Sequence, residues 1–322
     1  MKQVFLVYDA AVRDFAATFK ESYKADYIGS MPLVCDEQHK TLASVENICR
    51  ALLDADADKK TTLIAVGGGI CSDICGLAAT LYKRGIDFEV VPTTLLAMSD
   101  AAIGGKNAVN LDGVKNMIGS IKLPKKVHFR KEALNTLSDK DLKNGCVEML
   151  KTFLMFDEQA YHRTVNLLTS LNRSNYDEHT KNVVLAELAE LAEKAAKYKS
   201  KIVKRDLFDK GKRRLLNFGH TFGHAIEWKS NGTYSHGEAV AMGIIKALRV
   251  SEMENLAEPG LADRIAEDFK NCGLPTAMPF DNAELMSAME NDKKIEGDKI
   301  SFVFLKRPGK AVLKKRRLAD LV

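Results

Sequence analysis

Three of the seven histidines fall within seventeen residues, and each sits where a helix could present it. The segment Leu215-Leu216-Asn217-Phe218-Gly219-His220-Thr221-Phe222-Gly223-His224-Ala225-Ile226-Glu227 spaces two of them four apart, on one face of a helix. Gly219 and Gly223 line a neighbouring stripe where a second helix can approach closely. The third, in Ser235-His236-Gly237-Glu238-Ala239-Val240-Ala241-Met242-Gly243, opens another apolar helix. A lone histidine is more often structural; three at helix positions speak for a metal or for catalysis. Two histidines and one carboxylate suit zinc with an open coordination position. Glu148, in Gly145-Cys146-Val147-Glu148-Met149-Leu150-Lys151, is a candidate carboxylate, because a charge in an apolar stretch needs a partner or a metal. The plain alternative is a surface pair with Lys151, one turn on. Val147, Met149, Leu150, Phe153 and Leu154 argue against that exposure.

Two further segments have the chemistry of anion sites. Gly67-Gly68-Gly69-Ile70-Cys71-Ser72-Asp73 follows a strand pattern and opens a helix, where glycine lets backbone approach a pyrophosphate and the helix terminus favours its charge. The spacing is not the G-x-G-x-x-G of the common dinucleotide fold, and a simple tight turn is the alternative. The stretch from Pro92-Thr93-Thr94 through Ser99-Asp100 and Gly104-Gly105-Lys106-Asn107 to Lys115-Asn116 reads as an anion cradle rather than an exposed polar loop. It lacks the spacing of a Walker loop. Cations crowd the approach to the histidines: Lys199, Lys201, Lys204, Arg205, Lys210, Lys212, Arg213 and Arg214. Most read as a solvated face, but Arg213 would share a face with Asn217 if a helix began there. Asp292-Lys293-Lys294 is ambiguous by itself.

The elements that must carry these groups differ between the two halves. Val4–Val7, Thr61–Val66 and Phe88–Pro92 read as strands; Leu42–Leu53 and Cys71–Tyr82 read as helices. Strand, helix and strand with short connections imply a parallel sheet. From Asp139 to about Leu261 the pattern is helical, with Leu188, Leu191, Ala195, Tyr198 and Ile202 spaced by three and four. The boundary falls near Ser138, giving units 1–138 and 139–322. Ile300–Leu305 looks strand-like but too short and isolated for a sheet of its own. The 322 residues are 46% hydrophobic and 28% charged, which excludes a disordered or collagen-like chain. A net charge of +5 over this length is too small to argue for nucleic acid and fits an anionic small ligand. No apolar run approaches the roughly 20 residues of a membrane span, and the first residues lack a signal-peptide core, so a cytoplasmic location is expected. The cysteines at 35, 49, 71, 75, 146 and 272 read as reduced core residues; Cys71 and Cys75 would make half a metal site with no matching pair.

From about Glu37 to Leu305 the chain resembles the 3-dehydroquinate synthases, within the sugar phosphate cyclases. Glu37-Gln38-His39-Lys40-Thr41-Leu42, the Gly67–Asp73 turn, Lys83-Arg84-Gly85, Thr93–Lys106, Lys115-Asn116, Glu148–Lys151, Asn217–Glu227 and His236–Gly243 come in the family's order, including the sixteen-residue step from His220 to His236. The resemblance implies an α/β nucleotide-binding domain with a parallel sheet, an all-α metal-binding domain, and a site in the cleft between them. It implies Glu148, His220 and His236 as ligands of Zn2+ or Co2+. It implies Gly68, Gly69, Asp73, Thr93, Thr94 and Thr136 at NAD, with Lys106 and Lys115 also on the cofactor side and Glu37 and Lys40 near a ribose. Asp100 and Lys151 would surround the reacting hydroxyls. Lys106, Asn116 and His224 would hold the substrate phosphate, with Lys293 or Lys294 closing over it, and Lys199, Arg213 and Asn217 would hold the carboxylate end. Arg84 would reach a neighbouring subunit's site, which implies a homodimer.

The implied activity is that of a phosphate-eliminating carbon–oxygen lyase of the shikimate pathway. Its substrate is 3-deoxy-D-arabino-heptulosonate 7-phosphate, which passes through transient NAD oxidation, phosphate loss, reduction and aldol closure to 3-dehydroquinate. Departures from the family pattern gather around the cofactor. A strand hairpin before the first strand is missing, Ala11 replaces an asparagine, Cys71-Ser72 replaces a pair ending in glycine, Asn107-Ala108 stands for Thr-Gly, and Ala133 replaces an aromatic residue. They imply a looser hold on NAD than on metal. Three alternatives share parts of this pattern. Another sugar phosphate cyclase would use the same machinery. A metal-dependent alcohol dehydrogenase would leave Lys106, Lys115, Asn116 and Arg213 without a purpose. A non-catalytic relative would not need every ligand position filled.

Overall fold

Residues 3–23, 26–172, 177–289 and 299–321 are described by the computed structural model, and the chain divides into two units, Met1–Ser138 and Asp139–Val322. In the first unit, β1 (Val4–Asp9) sends Phe5 and Val7 to one face and Val4 and Leu6 to the other, the alternation of a strand covered on both sides. Helix α1 (Arg13–Lys20) packs Ala16 and Phe19 on the Val4–Leu6 face. Strand β2 (Tyr27–Leu33) pairs parallel with β1. Its Gly29 and Pro32 hide it from a periodicity search, and it lies at the sheet edge, where proline's missing N–H is tolerated. Helix α2 (Leu42–Asp54) is capped by Thr41, whose hydroxyl accepts from Ser44 N, and buries Val45, Ile48 and Leu52. Strand β3 (Thr62–Gly67), helix α3 (Gly69–Leu81) and strand β4 (Asp87–Pro92) follow.

Thr94 caps the short helix α4 (Leu95–Ser99), accepting from Ala97 N at 3.1 Å. The stretch beyond it is a hairpin, not an exposed polar loop. β5 (Lys106–Leu111) and β6 (Val114–Ile121) form an antiparallel hairpin turned by Asp112-Gly113, both at positive φ, the geometry that favours an Asp-Gly turn. β7 (Lys126–Val127) completes a parallel sheet of order β2-β1-β3-β4-β7.

The second unit holds α5 (Asp139–Phe156), α6 (Glu158–Asn172), α7 (Glu178–Arg205), α8 (His220–Lys229), α9 (His236–Met253), α10 (Leu261–Asn271) and α11 (Asn282–Met289). Ile300–Leu305 is not isolated. It is the centre of β8 (Lys299–Arg307), which pairs antiparallel with β9 (Lys310–Arg317), so this unit is helical with one hairpin rather than all-α. Lys310, Lys314, Lys315, Arg316 and Arg317 disguise β9 in the sequence, while Phe302 and Phe304 of β8 are buried and Phe302 meets Phe222 of α8 at 5.7 Å between ring centres. No described helix is long and apolar enough to cross a membrane.

Candidate metal centre and anion sites

The fold brings the second unit's ligand types together from three helices. Glu148 is 1% exposed in the middle of α5, while His220 and His236 are the first residues of α8 and α9. His220 Nε2 lies 3.4 Å and His236 Nε2 lies 3.5 Å from Glu148 Oε1. One ligand atom from each residue falls within 4.8 Å of the others. Glycine permits this convergence. A Cβ on Gly243 of α9 would sit 2.2 Å from the Gly219 carbonyl oxygen, and one on Gly219, at φ 77°, would sit 2.5 Å from Ile244. The close helix approach expected of the glycine stripe is the α8–α9 crossing.

The outer ring nitrogens are also held. His236 Nδ1 meets Glu227 Oε2 at 3.0 Å and His220 Nδ1 meets the Phe218 carbonyl at 3.2 Å. Acceptors there fix the tautomer that turns Nε2 inward. Glu148 also forms a buried ion pair with Lys151, so the surface-pair reading of these two does not hold. Burial by itself would push Glu148 up, but Lys151 and then His236 outweigh it and hold the carboxyl well below its usual range. Burial likewise opposes the charge on His236, yet the neighbouring carboxylates of Glu148 and Glu227 raise its pKa far above that of an ordinary imidazole. Among the described residues neither Glu148 oxygen accepts a hydrogen bond. A buried carboxylate is costly unless cations pair with it; Lys151 meets one oxygen, and the two imidazoles approach the other at 3.4 and 3.5 Å. Two imidazoles and a carboxylate fit a divalent ion with an open position. His224 stands beside the cluster, its ring 5.2 Å from that of His220, but is not part of it.

Lys199 is buried on α7. Arg213 and Asn217 lie in a 3-10 turn, Lys212–Asn217, so the shared α-helical face expected of them is absent. Asp206 shapes this turn by accepting from the backbone N–H of Lys210, Gly211 and Arg213, and Arg213 Nη1 donates to the Leu207 carbonyl at 2.6 Å. Lys293 and Lys294 lie outside the described residues.

In the first unit the candidate residues form a connected polar cluster. Lys40, 5% exposed, donates to Asp73 at 2.6 Å and to Asn116 Oδ1 at 2.7 Å. Asn116 N donates to Asn110 Oδ1, and Asn110 Nδ2 donates to both the carbonyl and the carboxylate of Glu37. The oxygen of Asn116 is thus engaged by Lys40, which leaves its NH2 end as the part suited to an anion. The glycine turn is a cradle. Gly68 precedes the first residue of α3 and offers no side-chain cap; a Cβ on Gly68 would meet Thr94 Cγ2 at 3.3 Å, and one on Gly69 would meet Ala101 at 3.1 Å. Backbone held open in this way at a helix N-terminus fits a dinucleotide's phosphates. Thr93 N donates to the Gly67 carbonyl and the Thr136 hydroxyl donates to the Ala133 carbonyl. Asp100 ends α4, Lys106 starts β5, Lys115 is exposed on β6, and exposed Arg84 has φ 66° after Lys83 at 46°. Cys71 and Cys75 are buried thiols.

Asn110, Asn144, Asp206 and Glu227 hold this machinery without having drawn notice in the sequence. Glu227 left one signal, a carboxylate on the histidine helix. Asn144, whose side-chain oxygen accepts from Gly237 N, left none, because the contact spans 93 positions.

The chain matches the family model "3-dehydroquinate synthase N-terminal" over residues 30–144 and "3-dehydroquinate synthase C-terminal" over residues 145–295. It is 38% identical to the 3-dehydroquinate synthase of Coxiella burnetii (strain RSA 331 / Henzerling II) over 97% of this chain and 86% of that protein. It is 38% identical to that of Campylobacter concisus (strain 13826) over 86% and 77%. Among solved structures, a 2-deoxy-scyllo-inosose synthase complexed with carbaglucose-6-phosphate, NAD+ and Co2+ superposes with a TM-score of 0.82 at 25% identity, covering 99% of this chain and 89% of that one. The 2-epi-5-epi-valiolone synthase of Streptomyces hygroscopicus subsp. jinggangensis 5008, with NAD+ and Zn2+ bound, shares the fold with a TM-score of 0.85 at 24% identity, covering 100% and 89%.

Proposed function

The chain belongs to the 3-dehydroquinate synthase family, and from that premise we propose that it converts 3-deoxy-D-arabino-heptulosonate 7-phosphate to 3-dehydroquinate and phosphate, as a carbon–oxygen lyase acting on phosphate. The observation that carries the reading is the convergence of half-buried His220 and His236 on buried Glu148, whose oxygens lack a hydrogen bond among the described residues. These three residues would hold Zn2+ or Co2+, and Gly68, Gly69, Asp73, Thr93, Thr94 and Thr136 would hold NAD, with Glu37, Lys40 and Lys115 at its margin. When bound, NAD would supply a reversible hydride acceptor and the divalent ion a Lewis acid.

The chain's own residues do the rest. Lys151, held in place by Glu148, and Asp100 would meet the substrate hydroxyls and hold or release their protons. Lys106, Asn116 and His224, with Lys293, would bind the phosphate and neutralise it as it leaves. Arg213, preset by Asp206 and Leu207, would grip the carboxylate with Lys199 and Asn217. Anchoring both anionic ends fixes one substrate through successive steps. Arg84 would serve the site of a second copy, making the working form a homodimer, and a cytoplasmic location suits the metabolite substrate and the unpaired thiols. The test is to mix pure protein with the heptulosonate phosphate, a catalytic amount of NAD and Zn2+. Phosphate and 3-dehydroquinate should appear in equal amounts, many per NAD, without accumulating NADH. Stoichiometric NADH would make the protein a dehydrogenase, and no phosphate from the metal-loaded protein would overturn the substrate.

A further inference from the structure

An α-helix leaves its first N–H groups without partners of its own. In α9, Ser235 Oγ accepts from Glu238 N as half of a capping box. The N–H of Gly237 is met from outside, by Asn144 Oδ1 of α5 at 2.5 Å. Asn144 therefore caps a helix that lies 93 residues away. The contact extends to the backbone, for a Cβ on Gly237 would lie 2.4 Å from both the carbonyl oxygen and Oδ1 of Asn144. Asn144 precedes Glu148 by four residues and so shares its face of α5, while Gly237 directly follows His236. This cap joins the two backbone segments that carry Glu148 and His236, beside the 3.5 Å approach of their side chains.

We propose that Asn144 is a positioning residue for the divalent ion: by capping α9 from α5 it sets the separation of Glu148 and His236. The proposal rests on the reading of Glu148, His220 and His236 as ligands. Asn144 itself touches neither metal nor substrate in this role. An N-terminal first turn is the part of a helix most prone to fray, and His236 is its first residue; a ligand there needs its backbone held.

The experiment is Co2+ binding to the whole protein, measured by chelator competition and by the visible absorption of the bound ion. Asn144→Ala and the volume-conserving Asn144→Leu should weaken Co2+ binding about tenfold or more, the usual loss when a partner behind a ligand is removed, and should shift the absorption bands. Asn144→Asp keeps the acceptor and should restore both affinity and spectrum. Should the alanine variant fail to fold, the leucine and aspartate variants carry the comparison. Wild-type affinity and spectrum in the leucine variant, even with a lower melting temperature in the metal-free form, would overturn the role while leaving the ligands standing. Wild-type protein that takes up no Co2+, or no more than His236→Ala does, would overturn the ligand reading and this role with it.

Discussion

In the helical unit Glu148 is buried in an ion pair with Lys151, and neither of its oxygens has a hydrogen bond among the described residues, whereas in the sheet unit Lys40, Asp73, Asn116, Asn110 and Glu37 have bonded to one another. Both clusters are polar and both have burial at their centre. They differ in how far the folded chain completes them. A cluster left incomplete is costly until a ligand arrives, and its residues gain little for stability from being there. A completed cluster stabilises the fold, and a ligand meets only what is left over at its edge, such as the NH2 end of Asn116. By this measure the Glu148 cluster is built for binding. The Lys40 cluster is built to hold the β5–β6 hairpin and the 37–41 segment to α3, and so to shape the cradle's margin.

The largest expected effect breaks the incomplete cluster. His236→Ala should abolish metal content and activity, while the metal-free protein stays folded and loses only the smaller stability that the Glu227 contact supplies. Elemental analysis and a melting curve check both parts, and full metal content in the variant would remove His236 from the ligand set. Adding Zn2+ should raise the melting temperature of wild type only, as expected when a ligand binds the folded state.

The same contrast explains which parts of the molecule are legible in the sequence. Local periodicity exposes α2, β3, α3 and β4, since each buries one face or two. It conceals β2, where Gly29 and Pro32 sit on a sheet edge, and β9, whose outward face is a run of lysine and arginine. The β5–β6 hairpin had a visible signal in Asp112-Gly113, masked by its polar strands. In the site, ligand types are legible because histidine and a carboxylate in apolar context are chemically unusual. Their supports are not, because Asn110, Asn144 and Glu227 are ordinary residues whose role appears only when distant segments meet.

Arg213 stands between the two kinds of cluster. It is buried, and one guanidinium nitrogen is already committed to the Leu207 carbonyl. If the rest of the fork grips a carboxylate, Arg213→Ala should weaken substrate binding by about 2–5 kcal/mol. Arg213→Lys should recover little, since an ammonium cannot form two parallel bonds. Unchanged KM in the lysine variant would place Arg213 with the structural cluster instead. For Lys40→Met the order of effects reverses. Asp73 and Asn116 lose a partner, so about 1–3 kcal/mol of stability should go in the absence of any ligand, with NAD affinity falling as a consequence. A variant that keeps its melting temperature and loses only NAD would break the comparison.

The smallest expected effect concerns a second completed pair in the sheet unit, His128 and Glu89, buried and 2.7 Å apart between Nε2 and Oε2. Burial holds the His128 pKa below its ordinary value, outweighing the opposing hydrogen bond to the Glu89 carboxylate. The folded state therefore favours neutral His128. Its contribution is fully present above the unfolded value of about 6.5 and is lost as pH falls through the depressed folded value. The group faces Phe19 of α1 at 5.5 Å and shares its surroundings with Tyr23, Lys126 and Arg130. His128→Gln keeps a donor for Glu89 but cannot titrate, so wild type should lose more stability than this variant between pH 7 and pH 5. The difference should amount to about 1.4 kcal/mol for each unit of depression. Melting curves of the two proteins at both pH values measure it. Parallel losses would mean that His128 changes charge without consequence, and that completion of a buried pair does not by itself mark a group as structural.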